Sequence, residues 1–434
     1  MTVQEPEMRQ AVDSSRTSAP VELVNVTLPD GRRADILLRD GRIASIGDHR
    51  SDTGRSAHRE ETSIQLDGAL LLPALVDGHC HLDKTFLGAP WQPHRAASSI
   101  RQRVVDERAL RDGLGVSVAQ RATALANRMV SLGTGHIRSH VDIDPASKLE
   151  GLHALFEVRE AFRDRLGIQL VAFPQSGIVT AKGVADLLDA ALSEGADLIG
   201  GLDPAGFDGD VDGQLDVVFG LADRHGAGID IHLHDGGEVG TLQLRAIAER
   251  TKAVGLSGKV AVSHAYALGQ VDDHELARTA AALGAAGVAI MTNGPGRSMP
   301  PLRALREHGV RVFAGSDNIR DAWWPYGTAD MLERTTIIGL QAELMFDDDL
   351  EWAASLVTDS AAEVLGIADY GLQPGCRAEL VVIAANSVPE AVASHPERLL
   401  VVHDGRVVGP VPRDRHARSD DPAAGGSPFC GPDG

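Results

Sequence analysis

Residues 70–82 read LLLPALVDGHCHL. A short apolar run that ends in Asp77-Gly78-His79-Cys80-His81 predicts a buried strand with polar groups at its far end. Residues two apart on a strand point to the same side, so His79 and His81 share a face and Cys80 takes the other. Paired imidazoles suit a borderline metal such as zinc or iron. A lone His-x-His also fits two polar residues at a strand end, so the surrounding chain has to decide.

Downstream, seven more apolar runs follow the same plan: GHIRSHVDI (135–143), IQLVAFP (168–174), DLIGGLD (197–203), GIDIHLH (228–234), KVAVSHA (259–265), GVAIMTN (287–293) and RVFAGSD (311–317). Most precede a helix-like stretch, such as AKGVADLLDAALSEG (181–195) or DHELARTAAALGAAG (273–287). Strands alternating with helices predict parallel βα units, and eight of them predict a closed (β/α)₈ barrel. No fixed short period points to a solenoid.

The flanks read differently. Val21 to Ile46 alternates LVNVTL, ADILL and RIASI with Asp30-Gly31 and Asp40-Gly41, a strong hairpin signal. AELVVIA (378–384) and LLVVHDGRVVG (399–409) read the same way. The expected fold is an α/β TIM barrel over 69–368. A small β-sandwich domain is built from 21–68 and 369–410, and 1–20 and 411–434 are expected to be disordered tails.

Composition narrows the function. The 41 basic and 61 acidic residues give a formal net charge of -20, which disfavours nucleic acid and anionic membrane as partners. The longest apolar run, Ala69 to Val76, is broken by Pro73 and is too short to span a bilayer. Cys80, Cys376 and Cys430 lie far apart with no CxxC spacing, which suits a reducing, cytoplasmic setting. Residues 1–20 are polar and lack the apolar core of a signal peptide.

In barrels of this kind functional residues collect at the C-terminal ends of strands. His79 and His81, His140 and Asp142, His232, His234 and Asp235, His264 and Asp317 all fall there. Singly, each fits a histidine bonded to a carbonyl or an aspartate capping a helix. Together they predict one convergent site.

The runs PALVDGHCHLDKTF (73–86), FPQSG (173–177), IDIHLHD (229–235), VSHAYAL (262–268) and SDNIRDAWWPYGTADML (316–332) resemble motifs of the cytosine deaminase-like amidohydrolases, in the same order. The resemblance implies one divalent ion, zinc or iron, held by His79, His81, His232 and Asp317. It implies that His264 orients the attacking water and that Gln175 reads a heterocycle edge. Trp323 is implied as an aromatic wall, Asp317 as a proton carrier and Asp235 as the acid that protonates a ring nitrogen. No lysine stands at the end of the fourth strand, DLIGGLDP, where related two-metal enzymes carry a bridging lysine. Two departures stand out: Asp235 is shorter than the glutamate usual there, and Asn318 replaces a second aspartate. Trp91, in the flap from Lys84 to His94, is placed to close over a ring, and Glu238 is an alternative acid.

The leading expectation is hydrolytic deamination of a cytosine-like ring or other cyclic amidine, with release of ammonia. A divalent ion lowers the pKa of bound water to about 7, which supplies hydroxide at neutral pH for attack on the ring carbon. Two other hydrolyses stay open: removal of an alkylamine from an N-substituted triazine-like ring, which the Asp83-Lys84 pair also resembles, and opening of a cyclic amide. A barrel that only binds a ligand is the reading from another class. The expected partner is a small heterocycle, and a homo-oligomer is the expected assembly.

Overall fold

The computed structural model describes residues 20–49, 62–94, 99–296 and 298–409. The expected tails therefore lie outside the described residues, Pro20 apart. The barrel strands are parallel neighbours in chain order. They follow five strands of the flanking sheet: β1 (Val21–Thr27), β2 (Arg33–Arg39), β3 (Arg42–Asp48), β4 (Thr62–Gln65) and β5 (Leu70–Pro73), with β6 (Leu75–Cys80) opening the barrel itself. The other seven are β7 (Thr134–Asp142), β8 (Gly167–Phe173), β9 (Leu198–Leu202), β10 (Gly228–Leu233), β11 (Val260–His264), β12 (Ala289–Thr292) and β13 (Val312–Ala314). Each coincides with one of the eight runs read from the sequence.

Helices link them. α1 (Ile100–Gly113) and α2 (Val118–Ser131) follow β6, and α3 (Glu150–Phe162), α4 (Val184–Glu194), α5 (Val211–His225), α6 (Gly237–Ala253), α7 (Asp273–Ala286) and α8 (Leu302–Glu307) follow the next strands in turn. α9 (Met331–Gln341), α10 (Asp347–Ser355) and α11 (Asp359–Leu365) come after β13. Local chemistry starts several of them. Ser117 and Gln120 form a reciprocal capping box on α2, and Asp272 caps α7 through the Glu275 amide. Apolar helix faces such as Leu125, Met129, Leu152 and Leu155 pack on strands that are buried along their length.

The seam between β13 and β6 is closed where the site lies. The Asp317 amide donates to the His79 carbonyl at 2.7 Å, and Cys80 and Asp317 form an isolated parallel bridge. Asp77 ties the same seam by accepting from the Ser316 amide at 2.9 Å and from its hydroxyl. Gly78 is needed there, because a Cβ on it would meet the Phe313 ring at 2.4 Å and the Ala314 carbonyl at 2.8 Å. Gly78→Ala should therefore lower the stability by about 1–3 kcal/mol, as overpacking does. The readout is the urea unfolding midpoint, and an unchanged midpoint would show that the seam yields freely.

The flanking strands join with β14 (Leu380–Ile383), β15 (Arg398–His403) and β16 (Arg406–Val407) in one mixed sheet of order β16-β15-β14-β5-β1-β2-β3, with β4 paired to β1. Its apolar face, including Leu23, Ile36, Leu71, Val382 and Leu400, makes a core separate from the barrel's. The run LLLPALVDG corrects one boundary: the barrel begins at Leu75, not at residue 69. Leu70–Pro73 pair antiparallel with β14, and the chain changes sheet at Ala74, whose amide donates to Glu379 O at 2.8 Å. Both halves are apolar and buried, so only the pairing separates them.

Candidate active site

The strand ends converge as the alternation of side chains requires. His79 Nε2 and His81 Nε2 lie 3.6 Å and 3.4 Å from Asp317 Oδ1, and His81 Nε2 lies 3.4 Å from His232 Nε2. Four donors each about 2.0–2.1 Å from a tetrahedral zinc ion would stand roughly 3.3–3.4 Å apart. The spacing fits. His79 Nε2 is buried and has no hydrogen-bond partner among the described residues, as expected of a nitrogen reserved for a metal. His79, His232, His264 and Asp317 form one group of candidate ligands, and His79, His81, His140 and His232 form another. His140 lies under the site, its ring 4.0 Å from that of His79, and it is not a pocket wall.

Electrostatics suit metal binding. Burial depresses His81 to a pKa of about 4 and His140 to about 3, and pushes His232 and His264 well below the usual range. These rings are neutral at pH 7, the form that offers a lone pair. Burial opposes ionisation of Asp317, but its imidazole partners His264, His79 and His81 outweigh it and hold the carboxyl well below the usual range. Asn293 Nδ2 donates to Asp317 Oδ2 at 2.9 Å. Asp203, His264 and Asp317 all have positive φ (37°, 72° and 60°), a backbone state that non-glycine residues seldom adopt outside functional sites.

Above this cluster is a cavity of about 260 Å³. Gln175, Asn318 and Trp323 line it, as read from the sequence, together with Lys84, His234, Tyr266 and Asn293. Lys84 is almost fully buried. Its Nζ donates to Gln175 Oε1 at 2.8 Å and pairs with Asp142 at 3.0 Å and Glu107 at 3.7 Å. Burial alone would lower its pKa, but the carboxylates of Asp142, Glu107 and Asp83 raise it. Glu107, from α1, also accepts from Trp323 Nε1 at 2.8 Å and so braces the aromatic wall. The Asn318 amide donates to Asp321 Oδ2 at 2.6 Å.

Three sequence-read candidates lie outside the cavity wall. Asp235 turns away: its Oδ2 accepts from the Gly206 amide at 2.8 Å and from Gln243 Nε2 at 3.0 Å. Asp235 lies two residues past the end of β10, where its carboxylate is taken up by the loop at Gly206 and by Gln243 on α6. Glu238 is exposed in the first turn of α6, as a helix-start glutamate should be. Trp91 is 62% exposed and contacts His94 and Arg320. Sequence reasoning listed His234 at a strand end but gave it no role, and it passed over Asp203. His234 Nδ1 lies 2.9 Å from Asp203 Oδ2, and its amide also donates to Asp203. Burial opposes protonation of His234, but Asp203 outweighs it and raises the pKa.

Residues 62–409 match the Amidohydrolase family model. The chain belongs to the amidohydrolase family. It is 32% identical to N-isopropylammelide isopropyl amidohydrolase of Pseudomonas sp. (strain ADP), over 80% of this chain and 87% of that protein. Among solved structures, N-isopropylammelide isopropylaminohydrolase from Burkholderia multivorans superposes with a TM-score of 0.85 and 40% identity, covering 91% of this chain and 99% of that one. The 5-methylcytosine deaminase from Klebsiella pneumoniae liganded with 5-fluorocytosine gives a TM-score of 0.82 at 25% identity, covering 91% and 98%. This amidohydrolase is thus an enzyme of carbon–nitrogen bond hydrolysis with cytosine deaminase-like relatives. No helix among its described residues is long and apolar enough to cross a membrane.

Proposed function

We propose that this amidohydrolase hydrolyses the exocyclic carbon–nitrogen bond of an amino-substituted, oxo-bearing nitrogen heterocycle and releases a small alkylamine or ammonia. The observation that carries the reading is one cavity with the Lys84–Gln175 pair on one wall and His234, His264 and Asp317 on another. Relatives at 40% and 32% identity bear names of the alkylamine-releasing reaction, which makes an N-alkylamino triazine the first substrate to test and an aminopyrimidine the second. A neighbouring cavity of about 230 Å³, which shares Pro295 and Trp324 as walls, offers room for an N-substituent.

One divalent ion, zinc or iron, would be held by His79, His81, His232 and Asp317. When bound, it supplies a water made acidic enough to be a nucleophile at neutral pH. Lys84 and the Gln175 amide hold the oxo-bearing edge of the ring, the cation favouring an oxygen that gains charge. His234 takes the acid role that the sequence reading gave to Asp235. Asp203 holds its Nδ1 proton and leaves Nε2 to deliver one to a ring nitrogen. Asp317 accepts the proton of the attacking water and returns it to the leaving nitrogen. The balance is that of hydrolysis: oxygen adds to carbon, one water proton goes by way of Asp317 to the amine, and the other, lost from the added hydroxyl as the C–N bond breaks and the ring carbonyl forms, restores the proton that His234 gave to the ring nitrogen. His264, with both ring nitrogens free of partners among the described residues, is neutral and can brace the new C–O bond.

Turnover of N-alkylamino triazines, aminopyrimidines and cyclic amides by zinc-loaded enzyme should give alkylamine or ammonia and no ring-opened product. His234→Ala should lower kcat by about 10² to 10⁴-fold with zinc retained, the usual weight of an acid–base group. Asp235→Ala should cost less than tenfold, since its carboxylate only ties a loop, to an order of magnitude. Reversed losses would return the acid role to Asp235.

A further inference from the structure

A second layer of buried polar groups lies below the cluster that faces the cavity. His79 Nδ1 is 2.9 Å from Ser263 Oγ. The Ser263 hydroxyl donates to Asp230 Oδ1 at 2.7 Å. Arg138 Nη1 donates to Asp230 Oδ2 at 3.0 Å and is itself held by Gln169 and by the Val364 carbonyl. Arg138, Asp230 and Ser263 lie on β7, β10 and β11 in turn and are buried, as is His79 on β6. His140 also lies near Asp230, its Nε2 3.7 Å from Oδ1. Among the three imidazoles assigned to the ion, His79 is the one whose second nitrogen bonds to protein. Nδ1 of His81 and of His232 have no protein partner among the described residues.

The hydrogen count along this chain leaves one arrangement. A carboxylate paired with a guanidinium only accepts, so Ser263 must give its single proton to Asp230. Ser263 Oγ can then only accept from His79. Nδ1 of His79 must therefore carry the ring proton, and Nε2 must carry the lone pair. We propose that Arg138, Asp230 and Ser263 form a positioning relay that locks His79 in the Nδ1–H tautomer and so presents Nε2 to the ion. The relay rests on the reading of His79 as a ligand, and its members touch neither substrate nor ion. Asp230 sits within an apolar strand, two residues before His232, so one strand supplies both a ligand and the anchor of another. Bonds of this kind also raise ligand basicity, and their loss commonly costs roughly 10- to 100-fold in metal affinity.

The test uses the full chain loaded with zinc alone. In protein labelled with ¹⁵N-histidine, an exchange-protected ring N–H should appear at Nδ1 of His79, assigned by its loss in His79→Gln. A proton on Nε2, or none on either nitrogen, overturns the relay without any relay variant. Ser263→Ala removes one oxygen from a packed strand and should melt, metal-free, within a few degrees of the parent. Its zinc affinity, from competition with a chromophoric chelator, should fall about 10- to 100-fold, and the Nδ1–H signal should vanish or lose its protection. Asp230→Asn keeps the shape, removes the obligate acceptor and should move both readouts in the same direction. Affinity within twofold of the parent in either folded variant overturns the proposal. If His79→Gln itself keeps the parent's affinity, the metal assignment fails. If it loses zinc while Ser263→Ala does not, only the relay fails.

Discussion

Asp317→Asn should give a folded protein whose turnover falls about 10⁴-fold, the upper range for losing an acid–base group, and whose zinc content drops below one equivalent. The substitution isolates charge. Asparagine has nearly the same shape and tolerates the left-handed backbone that Asp317 adopts at φ 60°. The amide that closes the barrel seam onto His79 O is untouched. What disappears is an ionised oxygen within 3.6 Å of two ligand imidazoles, together with the proton carrier for the leaving amine. Zinc by elemental analysis and turnover on the first active substrate check it. Parental zinc content with turnover within tenfold of the parent would remove Asp317 from both roles.

The second large effect is on stability. Lys84→Met should cost about 3–5 kcal/mol, the usual result of removing one partner from a buried ion pair. Lys84 is 2% exposed and stands between Asp142 and Glu107, which are buried as well. Arg111 reaches Asp142 at 3.2 Å and Glu107 at 3.9 Å, so part of the charge stays compensated. The loss is read as a shift in the urea unfolding midpoint of metal-free protein, away from any effect of the ion. Because Lys84 also holds Gln175, KM should rise in whatever folded fraction remains. A midpoint equal to the parent's would mean that Arg111 alone balances the acids.

The eight barrel strands are legible in the sequence because parallel strands covered on both faces read as continuous apolar runs. That His79, His81, His232, His264 and Asp317 converge is legible for a related reason: they fall at the C-terminal ends of strands, and closure of a barrel brings those ends together. Gln175, Asn318 and Trp323 were reachable through the motifs that contain them, not through any pattern of spacing. The Pro73–Leu75 boundary was not legible, since hydrogen-bond partners rather than hydropathy divide it.

Asp235 marks the edge of what the motif could carry. It sits in the right run, but its carboxylate is taken up by the 204–208 loop, and His234 holds the place beside the cavity. The remaining partners were decided only by tertiary structure. Lys84 meets Gln175 across 91 positions, and His79 meets Ser263 across 184. Nothing local in the chain records such a pairing. The sequence by itself determined the barrel, its closing order and the gathering of polar residues at one end of it, because burial and periodicity are written residue by residue. Which buried group faces which, such as Lys84 against Gln175 or His234 against Asp203, follows from distances between strands that exist only once the barrel has closed.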